Sequence, residues 1–121
     1  MEKNAPILIV DDLEDFRQLL EISLTPTFPE MLFAENGKAA AKVLAEGPVR
    51  LIITDLDMPD YDGKWLLNHV KSAHADVPVV VLTASLSATE SECLSLGAKA
   101  FLLKPFSVES LRLVIQELLR D

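Results

Sequence analysis

Cysteine is almost missing from this sequence. Cys93 stands alone among 121 residues, so no internal disulfide can form, and a reducing compartment is the simplest expectation. Long apolar runs are missing too, and none approaches the roughly 20 residues needed to cross a bilayer. The opening stretch MEKNAPILIV has neither a signal-peptide core of useful length nor a small-residue cleavage site. A soluble, cytoplasmic protein without a membrane partner is therefore expected. Basic residues are short: 11 Lys and Arg face 19 Asp and Glu, a formal charge of −8. Phosphate backbones are held by clustered Lys and Arg, so direct nucleic-acid binding is not expected. Hairpin signals of two residues, repeats, low-complexity tracts and linkers are also absent, which leaves one domain over residues 1–121.

What the sequence does contain is an alternation. Half of it is apolar and a quarter charged, the composition of a packed globule and not of a disordered chain. Short apolar runs at Ile7 to Val10, Met31 to Ala34, Leu51 to Thr54, Val79 to Leu82 and Ala100 to Leu103 have strand length. All but the second and last are rich in Val or Ile, as strands covered on both faces should be. Between them the apolar residues follow helical spacing. Leu13, Phe16, Leu20 and Leu24 fall on one stripe, Ala40, Val43 and Leu44 mark a second helix, and Leu66, Leu67 and Val70 a third. Val108, Leu111, Ile115 and Leu118 form the stripe of the last helix, and Leu113 and Leu119 lie outside it as a candidate contact face. Pro26 and Pro29 end the first helix, Gly47-Pro48 the second, Gly97 sits at the C-terminal cap of the fourth, and Ser107 caps the fifth. The pattern βαβαβαβαβα predicts a single doubly wound, five-stranded parallel sheet of the flavodoxin-like kind, strand order 2-1-3-4-5, with five helices.

The polar residues gather where these runs end. Asp11 and Asp12 follow the first strand, Asp55 the third, Thr83 ends the fourth, and Lys104 follows the fifth. In such a sheet these are carboxyl ends, and ligands bind there where the strand order reverses. Three ionised carboxylates side by side repel, and the remedies are protonation or a divalent cation. With only oxygen donors in the cluster, a hard ion such as Mg²⁺ is favoured over Zn²⁺. A carboxylate beside such an ion can attack a phosphoryl group, with Lys104 and the Thr83 hydroxyl holding the other phosphoryl oxygens.

The motifs VDD at 10–12, ENG at 35–37, DLDMPDYDG at 55–63, LTA at 82–84 and GAKAFLLKPF at 97–106 occur in the order of a known family. From Ile7 to about Leu119 the chain resembles a response-regulator receiver domain of two-component, phosphorelay signalling. The resemblance implies that Asp55 is the phosphoacceptor and that Asp12 and Asp55 give side-chain oxygens to Mg²⁺ (or Mn²⁺). Asp11 would act largely through a water and Asp57 through its backbone carbonyl. It further implies that Thr83 is the switch hydroxyl, Lys104 the phosphate-binding cation and Phe101 the switch aromatic, which here lacks a hydroxyl. Asp57 and Ser85 match positions that tune dephosphorylation, and the Lys104–Pro105 bond is often cis in the family. The implied partners are a histidine kinase or histidine phosphotransfer protein and a downstream effector domain or protein. Phosphorylation would reshape the surface of helix four, strand five and helix five, through which a homodimer could also form. The chain would then be no enzyme beyond its own phosphorylation and dephosphorylation, and either a stand-alone regulator or a domain of a larger protein.

Other readings compete. LIITDLD also resembles the start of a haloacid-dehalogenase-type phosphatase, but that family follows its second Asp with a small or hydroxyl residue where this chain has Met58-Pro59, and it gives Asp11 and Asp12 no role. A flavin or nucleotide carrier needs a phosphate-cradling loop after the first strand, and DDLED repels phosphate. A receiver-like scaffold that is never phosphorylated is disfavoured by the intact Asp55, Thr83 and Lys104. Singly, each residue has a plainer reading. Asp11 or Asp12 alone would be a helix cap, Thr83 a strand-end hydroxyl, Lys104 a solvated turn and Phe101 part of the core. His69 and His74 read as surface histidines, Cys93 as a small apolar filler, and Gly63 as a close approach into the third helix.

Overall fold

A computed structural model describes residues 4–120; Met1, Glu2, Lys3 and Asp121, the ends of the expected 1–121 domain, lie outside the described residues. The elements run β1 (Ile7–Val10), α1 (Glu14–Leu24), β2 (Met31–Ala34), α2 (Gly37–Glu46), β3 (Leu51–Thr54), α3 (Gly63–Ala73), β4 (Val79–Thr83), α4 (Glu90–Ser95), β5 (Ala100–Leu103) and α5 (Val108–Leu119). All pairings are parallel and the order is β2-β1-β3-β4-β5, as the alternation predicted.

The central strands β1, β3 and β4 are buried along their whole length because helices cover both faces. Successive strand residues point to opposite sides, so each strand feeds two cores. Ile7, Ile9, Leu51, Ile53, Val80 and Leu82 pack with Leu20 and Leu24 of α1 and Leu111 and Ile115 of α5. Leu8, Val10, Ile52, Val79 and Val81 pack with residues of α2, α3 and α4, among them Leu44, Leu66, Leu67 and Cys93. Burial pushes the Cys93 thiol up from its ordinary pKa, which suits an inert apolar filler.

Helix starts are set by side chains that satisfy free N–H groups. Asn36 accepts from Ala39 N–H, Asp62 from Trp65 N–H and Ser107 from Ser110 N–H. Thr89 and Glu92 form a reciprocal capping box on α4. Gly97 ends that region at φ +110°, a conformation that suits glycine.

Four side chains depart from the sequence reading. Leu13 is not part of the buried stripe: α1 begins one residue later, and Leu13 sits extended at the N-cap with its side chain 59% exposed. Leu119 packs half-buried against the α1/α5 core, whereas Leu113 is exposed as expected. His69 and His74 are half-buried and in ring contact instead of free at the surface. Tyr61 stacks on Trp65 (centroids 4.7 Å), Trp65 on His69 (5.0 Å), and His69 meets His74 at 5.6 Å.

Gly63 fixes how α3 leaves the loop after β3. A Cβ there would lie 2.3 Å from the Asp55 carbonyl oxygen and 2.7 Å from the Leu56 Cα, both backbone atoms that cannot swing aside. Gly63→Ala should therefore lower the unfolding free energy by about 2 kcal/mol or more, read from urea denaturation, because overpacking against backbone has no cheap relief. A variant as stable as the parent would show that α3 can shift freely away from Asp55.

Candidate functional site

The site is assembled by the backbone before any side chain acts. Asp11 N–H donates to Ala34 O (3.1 Å), Asp55 N–H to Val10 O (3.1 Å), and Lys104 N–H to Thr83 O (2.8 Å). Each bond continues a strand pairing one step beyond the sheet, so the residues following β1, β3 and β5 stay in register at one edge. That edge flanks the β1/β3 boundary, where the strand order reverses.

Asp11, Asp12 and Asp55 each place one carboxylate oxygen within 4.8 Å of the others. Asp11 is buried, Asp55 half-buried and Asp12 exposed. Lys104 Nζ reaches in to 3.1 Å from Asp11 Oδ2 and 3.5 Å from Asp55 Oδ2. The other oxygens of these two acids are engaged locally, Asp11 Oδ1 by Leu13 N–H (3.0 Å) and Asp55 Oδ1 by Leu56 N–H (2.6 Å). Burial raises the Asp11 pKa above the ordinary carboxylate value. The Leu13 N–H and Lys104 oppose that rise, and the Asp55 charge adds to it. Even with Lys104 present, this pocket is short of positive charge. Its donors are all oxygens, so the residues fit a hard divalent cation of the Mg²⁺ type.

The neighbouring residues fall into place unevenly. Thr83 is fully buried and its hydroxyl accepts Ser85 N–H at 3.0 Å. Phe101 is half-buried, packs on the α2/α3/α4 core, and lines a groove of about 390 Å³ with Leu86, Ala88 and Leu103. The Lys104–Pro105 bond is cis. Asp57 and Ser85 are joined by a residue the sequence reading missed: Ser85 Oγ donates to Ser87 Oγ (2.7 Å), which donates to Asp57 Oδ1 (3.2 Å). A bridge across 30 positions leaves no trace in local spacing. Arg17 was missed as well; its guanidinium donates to the Asp11 carbonyl at 2.6 Å and ties the first turn of α1 to the end of β1.

The loop after Asp55 is held under strain. Asp60 and Tyr61 adopt φ of 58° and 75°, the left-handed region in which a bulky residue is uncommon. Such a conformation costs on the order of 1–3 kcal/mol per residue and persists only when its surroundings enforce it. Here Gly37 N–H donates to the Tyr61 carbonyl at 2.7 Å. Any Cβ at position 37 would come within 2.6 Å of that same oxygen, which accounts for the glycine of ENG.

A family model described as "Response regulator receiver domain" matches residues 7–116. The chain is 39% identical over 114 residues to the response regulator protein PilR of Pseudomonas aeruginosa, covering 93% of this chain and 26% of PilR. It is 32% identical over 115 residues to the regulatory protein AtoC of Escherichia coli K12, covering 94% of this chain and 25% of AtoC. The chain thus spans about a quarter of the length of these two relatives. Among solved structures, the receiver domain of the Francisella response regulator 1452 superposes with a TM-score of 0.87 at 27% identity, covering 96% of this chain and 97% of that one. The response regulator TrrA of Thermotoga maritima, solved in complex with Mg²⁺-BeF, gives a TM-score of 0.85 at 30% identity over 94% of this chain and 98% of TrrA.

The raised Asp11 pKa sets the sign of a stability test. An acid whose folded pKa lies above its unfolded value loses stability as pH rises through that interval, because the unfolded chain ionises more readily. In metal-free protein at pH 7.5, Asp11→Asn should then be at least as stable as the parent in urea. Mg²⁺ at about ten times its Kd should stabilise the parent by roughly 1.4 kcal/mol, and the variant by less. Equal stabilisation of both would remove Asp11 from the cation pocket.

Proposed function

The chain belongs to the response regulator receiver domains of two-component signalling, and on that premise we propose that Asp55 is its phosphoacceptor. The observation that carries this reading is the meeting of three carboxylates from two strands with the Lys104 ammonium 3.5 Å from Asp55 Oδ2. A carboxylate oxygen of Asp55 attacks phosphorus in line, forming an acyl phosphate. The P–N bond to the donor's phosphohistidine breaks, and its electron pair leaves with the imidazole nitrogen, which keeps it or takes a proton from solvent. The donor is a histidine kinase or histidine phosphotransfer protein. Lys104 Nζ, preplaced beside Asp55, holds a phosphoryl oxygen as charge builds on it.

Receiver domains bind Mg²⁺ at an acidic pocket of this kind. Asp11, Asp12 and Asp55, with the backbone carbonyl of Asp57, would hold it here, and Mn²⁺ suits the same oxygen donors. When bound, the ion neutralises charge on the carboxylates and on the incoming phosphoryl group.

The response runs through Thr83 and Phe101. The Thr83 hydroxyl donates its O–H to a phosphoryl oxygen, the segment after β4 follows, and the Phe101 ring repacks in the groove beside α4. Asp57 and Ser85, coupled through Ser87, govern how water reaches the acyl phosphate. The surface that changes carries exposed Leu94 on α4, Leu103 on β5 and Leu113 on α5, and it serves an effector domain or protein or a second copy of the chain. Among the described residues no helix is long and apolar enough to cross a membrane, and the proposed setting is the cytoplasm. A turnover phosphatase is disfavoured because Asp11, which such an enzyme would not use, is buried against Lys104 at the centre of the site.

Incubation with acetyl phosphate and Mg²⁺ should add one phosphoryl group per chain by intact mass, with none added when the metal is chelated. Asp55→Asn should abolish the label; label persisting on that variant would refute the assignment. Thr83→Ala should keep the label and weaken the accompanying change in amide chemical shifts around β5. An undiminished change would remove Thr83 from the switch.

A further inference from the structure

We infer that Phe16 is a positioning residue for Lys104, its ring face holding the ammonium at the edge where Asp55 receives the phosphoryl group. The inference rests on the reading of Asp55 as phosphoacceptor. Lys104 Nζ lies 3.8 Å from the Phe16 ring centroid. That is well inside the ~6 Å over which a ring quadrupole attracts a cation, and the attraction grows as the pair is desolvated. Lys104 is only 17% exposed. The ammonium is therefore held by two carboxylates on one side and an aromatic face on the other.

Phe16 is itself fixed. Phe106 meets it edge-on, with centroids 6.2 Å apart and planes at 76°. The ring also packs against the α1/α5 core. Its helix is tied to the end of β1 by Arg17, the next residue. Lys104 by contrast hangs on a four-carbon stem with considerable rotamer freedom.

The aromatic contact differs from the carboxylate contacts in one respect that matters for phosphoryl transfer. Asp55 loses its free carboxylate when the acyl phosphate forms, and Asp11 would share its charge with a cation bound in the pocket. Both of the ion pairs that hold Lys104 at rest are weakened in the state where it must act. The Phe16 ring keeps its charge distribution throughout. It retains the ammonium beside Asp55 while the carboxylate partners are taken, and so favours contact with the phosphoryl oxygens over escape to solvent.

A purely space-filling Phe16 would behave differently, and fluorination separates the two cases. Adding fluorine to the ring drains its negative face while leaving its shape nearly unchanged. Mono-, di- and trifluorinated phenylalanine placed at position 16 of the full chain should progressively slow phosphorylation of Asp55 by acetyl phosphate at fixed Mg²⁺, by about tenfold across the series. Urea unfolding midpoints should stay level. In a Lys104→Met background the same series should be flat, since the coupling needs both partners. Flat rates with Lys104 in place, an equal slope in Lys104→Met, or a slope matched by lost folding stability would each overturn the role of Phe16. Unsubstituted protein that takes its label on Asp55 while the series stays flat would sink this inference alone, and a chain that takes no label would sink both readings.

Discussion

Three negative charges are held closer together than they would choose to stand. Strand pairing through Asp11 and Asp55 carries the β1 and β3 ends forward in register, which keeps the backbone of these acids side by side at one edge. Lys104 supplies one compensating charge. Burial raises the Asp11 pKa even with the ammonium beside it. A divalent cation would relieve that imbalance by bringing positive charge to the acids.

The rest of the fold serves to keep that edge from relaxing. Two apolar cores clamp the sheet from either face, and each central strand contributes to both. Gly63 lets α3 start against the Asp55 backbone, and Gly37 lets α2 close on the Tyr61 carbonyl. Between them the loop after Asp55 is pinned at both ends in a conformation it would not adopt alone. A two-state response then has a defined energetic scale. Reversing a 1:99 population to 99:1 needs about 5.5 kcal/mol of differential stabilisation.

The sheet was legible because its signals are local and repeated. A run such as ILIV or LIIT can hardly be anything but a doubly covered strand when helical stripes flank it, and the strand order then brings Asp11, Asp12 and Asp55 to one edge. The failures have separate physical causes. Leu13 looked apolar and in phase, but helix geometry starts one residue later and leaves it outside. Leu119 lay off the ideal stripe, yet the α1/α5 core still receives it. The Ser87 bridge between Asp57 and Ser85, and the Phe16 ring over Lys104, join residues far apart in the chain, so no spacing rule can reveal them. His69 and His74 were read as separate surface groups because a ring stack along a helix face depends on rotamers that sequence does not display.

That stack has a consequence of its own. Trp65 is the single tryptophan of the chain, and its indole lies between Tyr61 on the strained loop and His69. Its emission is therefore an intrinsic optical gauge of the loop. Movement of Tyr61 alters the packing on one face of the indole. The molecule carries its own spectroscopic readout on the helix that follows Asp55, with no added dye.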